Sequence, residues 1–301
     1  DRYGDIEVLE VRDVERPAPG AGEVLVEVKA AGMNPGEASI RKGLLKDVFP
    51  TTFPSGQGSD FAGVVAETGT GVDDFRPGDQ VIGFSDKRAS HAEHVVVAAE
   101  NLIAKPAVVP WEVAGALYVA GTSAYAAVRA VDLTKGDVVA VAGAAGGVGS
   151  IAVQLAARRG ATVLGIAGPS NDEWLRAHGV IPVNYGDDLA GRLRAATPGG
   201  RIDAFLDFFG GGYVELAVDE LGVAPERVNT IIDFAAAERF AVRTSGNADA
   251  ANAAVLAELA ALVAEGRLDV PIAEVFALDD VRNAFRTLEQ RHTRGKLVLR
   301  P

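Results

Sequence analysis

The sequence predicts an α/β protein in two parts: a compact β barrel or sandwich, then a doubly wound parallel sheet. Its 301 residues allow about two domains at roughly 150 residues each. Residues 1–110 read as short strands between turns. Beyond about residue 110, strand-like and helix-like periods alternate, the pattern that builds a parallel sheet.

In the first part, residues 23–31 (EVLVEVKAA) alternate apolar and polar side chains, as a half-buried strand does. Residues 61–67 (FAGVVAE), 80–84 (QVIGF) and 92–98 (AEHVVVA) have the same texture, and Pro and Gly punctuate them at 17–22, 54–58 and 77–78. Residues 111–131 are Ala-rich and helical, with a break expected at Gly121. Then come strand 137–142 (DVVAVA), helix 149–159 with Ile151, Val153, Leu155 and Ala156 apolar, strand 161–167 (ATVLGIA) and helix 171–178. Strands 181–183 and 204–207 flank helix 189–196, and strand 230–233 continues the series. A long Ala/Leu helix at 250–265 stops at Gly266; strands 272–278 and 296–299 follow, with helix 278–291 between them. This tail is assigned back to the first part. The expected domains are therefore 1–110 with 266–301, and 111–265.

Composition excludes several classes. Hydrophobic residues are 48% and charged residues 23%, enough apolar material for ordinary globular cores. A net charge of -12 argues against a nucleic-acid partner, which favours a basic stripe. With no cysteine, disulfides and thiolate metal sites are ruled out. Apolar runs fall far short of the roughly 20 residues of a membrane span, and no signal-like segment opens the chain, so a soluble cytoplasmic protein is expected.

The chemistry-bearing motif is residues 143–149, GAAGGVG, directly after strand DVVAVA and directly before a helix. That context marks a dinucleotide fingerprint, although the spacing is GxxGxxG rather than GxGxxG. Gly143 permits a sharp turn, Gly146 and Gly147 let a pyrophosphate approach the backbone, and Gly149 lets the helix pack closely. Ala145 and Val148 lie in the same loop, and the helix start offers N–H groups and a positive dipole end to phosphate.

The run VAVAGAAGGVGSIAVQLAARRGATVLGIAG closely resembles the cofactor loop of the medium-chain dehydrogenase/reductase superfamily, in its zinc-independent quinone oxidoreductase (zeta-crystallin-like) branch. EVLVEVKAAGMNPGEASIRKG, GSDFAGVVAETGTGVDDFRPGDQVIG, AGTSAYAAV, LDFFGG, TIIDF and HTRGKLVLRP resemble further landmarks of that branch along nearly the whole chain. The resemblance implies a GroES-like barrel, completed by the C-terminal tail, around an inserted Rossmann domain. It also implies a first strand ahead of Asp1, and a homodimer pairing through edge strands near 228–234.

Zinc members of the superfamily carry a catalytic Cys where this chain has Asn34-Pro35, a His-Glu pair near 58–60, and a four-Cys lobe between 83 and 91; this chain has none of them. His91, His94, His178 and His292 are scattered. His91 and His94, three apart in a strand-like segment, would face opposite ways and are taken as surface or barrel residues. No metal is expected.

By resemblance, Asn34 lies near the nicotinamide, where its amide would donate to a developing oxyanion or merely cap a turn. Thr122 faces the nicotinamide end or serves as a helix-start hydroxyl. Ser39 stands where many members have Tyr, and Arg41 is read as structural. Phe208 and Phe209 make the pocket narrower and more aromatic than usual, or Phe208 packs in the core. An NAD site places an acid roughly 20 residues after the Gly loop. Here the strand ends at Gly168, with Ser170 and Asn171 able to donate to a 2′-phosphate and Tyr185 matching a phosphate-contacting Tyr of some relatives. Asp172 and Glu173 would repel it if turned inward. Lys296, in the last landmark, is counted among the cofactor contacts, and Arg291 is a second candidate cation. The expectation is an NADPH-dependent (NADP) reductase passing hydride to a quinone; an enone reductase on the same scaffold and a non-catalytic nucleotide-binding protein are the alternatives.

Overall fold

The computed structural model describes all 301 residues, the side chain of Pro198 excepted. In chain order the strands are β1 (Glu23–Gly32), β2 (Asp60–Thr68), β3 (Gln80–Phe84), β4 (His94–Ala98), β5 (Leu102–Ala104), β6 (Val138–Ala142), β7 (Thr162–Ala167), β8 (Ile181–Asn184), β9 (Ala204–Asp207), β10 (Val228–Thr230), β11 (Ile272–Ala277) and β12 (Lys296–Arg300). The chain divides into two compact units, Asp1–Val119 with Asn252–Pro301, and Ala120–Ala251.

The first unit is a seven-stranded sheet in the order β11-β12-β1-β2-β3-β5, with β4 also paired to β1. Its pairings are antiparallel except β11 on β12. β1 supplies Val24, Val26 and Val28 to a core with Phe61, Val65, Val81, Val95, Val97 and Leu102. These β-branched and aromatic side chains suit a pleated, half-buried surface. A second core joins Ile6, Leu9 and Met33 to Phe285 and Leu288 of the helix Val281–Glu289 and to Leu297 and Leu299 of β12. The tail therefore returns to the barrel.

The unit boundaries fall inside the expected 111–265 segment, for a packing reason. The helix Trp111–Gly115 lies on β1, where Gly115 is so close that a Cβ would overlap the Ala30 carbonyl oxygen. The helix Ala253–Ala264, capped by the Asn252 side chain, packs against β5. Both helices belong to the barrel unit. The expected break at Gly121 is absent, because the helix Tyr118–Ala130 runs through it; the interruption lies just ahead, at residues 116–117.

The second unit is a five-stranded sheet in the order β10-β9-β6-β7-β8, parallel throughout. β6 is buried at every position, as central parallel strands are. The order reverses at β6, between β7 and β9, which makes the carboxyl end of β6 the switch point where such sheets bind ligands. β10 is shorter than the expected edge segment, and its outer side is taken. The Thr230 N–H donates to the Arg243 carbonyl (3.0 Å) and the Arg243 N–H to the Val228 carbonyl (2.9 Å). Direct two-fold pairing through β10 is thus blocked by residues 243–245 of the same chain. Among the described residues, no helix is long and apolar enough to cross a membrane.

Candidate active site

The Gly-rich loop leaves β6 and enters the helix Gly147–Arg158, two residues earlier than the periodicity predicts. Gly143 has φ +70°, a left-handed value that favours glycine. A Cβ on Gly149 would overlap the Gly143 carbonyl oxygen and stand 2.9 Å from Ala144 Cα, so Gly149 lets the helix close on its own loop rather than on the sheet. Gly146 differs: a Cβ there would meet only the Gly143 oxygen, at 3.3 Å, and otherwise project into open space. As N-cap, Gly146 has no side chain with which to satisfy the first-turn N–H groups, which leaves them for an external acceptor. An anionic, narrow group such as a pyrophosphate fits this cradle.

At the end of β7, Gly168 and Tyr185 meet: a Cβ on Gly168 would stand 3.2 Å from the Tyr185 hydroxyl. Tyr185 is 56% exposed, and Ser170, two residues after Gly168, is exposed too. Asn171 bends back, its Nδ2 donating weakly to the Gly168 carbonyl (3.4 Å). Asp172 is already engaged. Its Oδ1 accepts from Asn184 Nδ2 (2.9 Å), and its Oδ2 pairs with Arg176 (3.0 Å). Glu173 faces solvent.

Phe208 is half-buried, its N–H donating to the Ala142 carbonyl (3.2 Å), with its backbone against Gly143. Burial, with Asp207 and Tyr185 nearby, pushes the Tyr213 phenol up. Thr122 is fully buried in the second turn of its helix, so it is not a helix-start hydroxyl; its Oγ1 accepts from Asn247 Nδ2 (2.7 Å).

The barrel unit holds a buried polar cluster. Lys296, 3% exposed, donates to Asn34 Oδ1 (2.5 Å) and the Met33 carbonyl (2.7 Å), and its Nζ lies 3.6 Å from Asp60 Oδ2. Because an ammonium only donates, it fixes which way the Asn34 amide points. Asn34 Nδ2 then donates to Glu37 Oε1 (3.1 Å) and Asp60 Oδ2 (3.2 Å), while Glu37 Oε2 accepts from the Asn34 N–H (3.0 Å). Asp60 Oδ1 accepts from the Val119 N–H (2.9 Å). Burial pushes the Asp60 carboxyl up, Lys296 draws it down and Glu37 raises it again.

Two expectations change here. Both Asn34 amide hydrogens are in use, so none is spare for a substrate oxygen. Lys296 is committed inside the barrel, with its charge on Asn34 and Asp60 rather than open to a cofactor phosphate. His91 is a barrel residue, the second of the two places read for it, but it does not lie in the strand. It precedes β4 rather than lying in it, its side chain is only 2% exposed, and its Nε2 lies 3.2 Å from the Gly32 carbonyl and 3.8 Å from Glu37. Among the described residues no group of three or more His, Asp or Glu is arranged to hold a metal ion. Arg41 is structural in its contacts, bonded to Glu289 (2.6 Å) and stacked over Phe285 (4.8 Å). Ser39 is half-buried in the helix Pro35–Arg41, and Arg291 is exposed after the helix Val281–Glu289, at φ +57°.

Sequence reasoning missed Glu37, Asp60 and the real place of Lys296, which meet across 262 residues of chain between Asn34 and Lys296. The one local signal was Glu three residues after Asn34-Pro35, the spacing at which an acid can bond back to the N-cap N–H.

Residues 20–135 match the alcohol dehydrogenase GroES-like domain family, and residues 175–299 match the zinc-binding dehydrogenase family. The quinone oxidoreductase of Coxiella burnetii superposes with a TM-score of 0.88 at 30% identity, covering 100% of this chain and 97% of that one. That of Pseudomonas syringae pv. Tomato gives 0.86 at 31% identity, covering 99% and 97%. The Escherichia coli quinone oxidoreductase complexed with NADPH gives 0.86 at 26% identity, covering 100% and 98%. With the barrel, the parallel sheet and the Gly-rich loop, these matches identify the chain as an oxidoreductase that belongs to the medium-chain dehydrogenase/reductase superfamily, in the branch that holds those quinone oxidoreductases.

Proposed function

We propose that this protein is an NADPH-dependent reductase that passes hydride to a quinone without a metal. The observation that carries the proposal is the loop at 143–149, where an uncapped helix start and the open space at Gly146 suit a pyrophosphate. When bound, the nicotinamide supplies the hydride; the protein supplies binding, orientation and exclusion of water. NADPH rather than NADH is favoured by the absence of an acid at Gly168, by the hydroxyls of Tyr185 and Ser170 beside it, and by the engagement of Asp172 with Asn184 and Arg176. Gly143, Ala145, Gly147, Val148, Asn171 and Phe208 complete the proposed cofactor contacts. Thr122 is proposed for the reacting end of the cofactor. Asn34, saturated by its own neighbours, is proposed as an organiser of the barrel cluster. A homodimer remains part of the reading, its pairing edge moved outward to residues 242–245.

The test is titration of the pure protein with NADPH and NADH, followed by nicotinamide fluorescence, and then addition of a quinone and an enone to each complex. Tight NADPH binding with oxidation by the quinone is expected. Oxidation by the enone alone would transfer the proposal to carbonyl-conjugated alkenes. No binding of either cofactor would overturn it.

A further inference from the structure

Polar atoms that the fold buries without a partner are unevenly spread. Among the described residues, eight buried side-chain nitrogen and oxygen atoms have no hydrogen-bond partner, and four of them, Ser85 Oγ, Arg88 Nη1, Ser90 Oγ and His91 Nδ1, fall in residues 85–91. A buried polar atom left unpaired is costly, so a group of them in one loop calls for a partner from outside the chain. Arg88 stands apart, because its guanidinium turns to Thr51 Oγ1 (3.2 Å) and clamps the loop there. Ser85, Ser90 and His91 instead pack on residues 57–59. The Ser85 N–H donates to the Ser59 carbonyl (2.9 Å), the Ser90 N–H to the Gly58 carbonyl (3.2 Å) and the His91 N–H to the Gln57 carbonyl (2.9 Å).

Gly58 makes the room in which two of these side chains meet. It has φ +88°, and a Cβ on it would overlap the His91 ring and stand 2.5 Å from Ser90 Oγ. Ser85 is 3% exposed, Ser90 0%, and the His91 side chain 2%. The far side of the imidazole fixes its hydrogen. Nε2 lies 3.2 Å from the Gly32 carbonyl oxygen, with Glu37 Oε2 at 3.8 Å on the same side. A carbonyl oxygen only accepts, so Nε2 carries the hydrogen and donates to Gly32. Nδ1 is then a lone pair facing the two serine hydroxyls' side of the ring, and it needs a donor.

We infer that Ser85, Ser90 and His91 hold one trapped water molecule, and that through it His91 positions the buried cluster of Asn34, Glu37, Asp60 and Lys296. The water donates one O–H to His91 Nδ1 and the other to one serine oxygen, and accepts from the second serine hydroxyl. Three bonds are the usual number for a buried water. An anion would set its own lone pair against Nδ1, and an apolar molecule would leave all three atoms unpaired. With Nδ1 engaged as an acceptor, the ring cannot move its hydrogen from Nε2 without losing both bonds, so the Gly32 carbonyl keeps its donor. Gly32 is the backbone on which Asp60 packs: a Cβ there would stand 2.8 Å from Asp60 Oδ2. The site lies wholly within the barrel unit and holds whichever acceptor the protein reduces.

A high-resolution crystal structure of the wild type reads the site directly. One ordered water within hydrogen-bond distance of Ser85 Oγ, Ser90 Oγ and His91 Nδ1 is expected. A direct bond from Ser90 to His91, an ordered ion, or an empty site would overturn it. The positioning role is read in solution by long-range proton–nitrogen correlation spectra at about pH 8. The chain has four histidines, and His91→Phe identifies which ring pattern belongs to His91. His91 is expected with its hydrogen on Nε2 and with Nδ1 at the position of a hydrogen-bonded lone pair. Ser90→Ala should move the Nδ1 resonance downfield, toward an unbonded lone pair, while the hydrogen stays on Nε2. A ring protonated at Nδ1, or a resonance that does not move, would overturn the positioning role. Should Ser90→Ala fail to fold, Ser85→Ala gives the same reading with the same two outcomes.

Discussion

The two polar centres are built in opposite ways. The dinucleotide loop is made of backbone: seven consecutive residues whose main contribution is missing side chains. The barrel cluster is made of side chains: Asn34, Glu37, Asp60, His91 and Lys296, drawn from four separate places in the chain. A backbone site tolerates change wherever space is open and fails where a Cβ meets a neighbour. A buried side-chain cluster fails wherever charge is removed, because the Asp60 carboxyl lies beside the Lys296 ammonium and Asn34 joins both to Glu37.

Removing that ammonium has the largest expected effect. Lys296→Met leaves Asp60 buried without its cation and should cost about 3–5 kcal/mol of stability, read by urea unfolding. A loss under about 1 kcal/mol would mean the cluster is not held by charge. Within the loop, two glycines should part company. Gly146→Val should weaken NADPH binding roughly 100-fold or more, with a smaller change in Tm, since its Cβ would press only on the Gly143 carbonyl oxygen, at 3.3 Å. Gly149→Val should lower Tm as well, since its Cβ would overlap the Gly143 carbonyl. Equal behaviour of the two would undo the distinction between a binding glycine and a packing glycine.

The barrel should also be felt in pH. Burial raises the folded-state affinity of Asp60 for its proton above that of the unfolded chain. The folded state then binds more protons, and the Asp60 contribution to stability falls as pH rises from its unfolded value toward its raised folded one. Subtracting the Asp60→Asn stability profile from that of the wild type, from pH 4 to 8, should give a curve that declines with pH; a rising difference would contradict the burial argument. The smallest effect expected is at the second sheet's edge. Tyr185→Phe should reduce the preference for NADPH over NADH by about fivefold to tenfold, the net worth of one ordinary hydrogen bond at an exposed site.

The same contrast explains what could be read from the sequence. The loop was legible because its cause is local: Gly143, Gly146 and Gly149 sit between a strand and a helix in one short run. The alternation of strand and helix after residue 137 was legible for the same reason. The cluster was not, since nothing near Lys296 says that its ammonium lies on Asn34, and nothing near Asp60 says that it is wholly buried. The unit boundaries slipped for a related reason. The helices Trp111–Gly115 and Ala253–Ala264 look like any helix of the α/β series, and only their contacts with β1 and β5 assign them to the barrel. The strand read at 92–98 begins only at His94, so His91 is a barrel residue outside it.

The barrel unit is assembled from two stretches of chain, with the whole of Ala120–Ala251 synthesised between them. On the ribosome the parallel sheet can close as soon as β10 and residue 243 have emerged. Asn34, Glu37 and Asp60 must wait, already translated, for a lysine that arrives 262 residues after Asn34. Until then the half-made barrel carries the Asp60 carboxyl without the ammonium that lies beside it in the finished fold. Lys296 thus completes the cluster only after the whole of the other unit has been made.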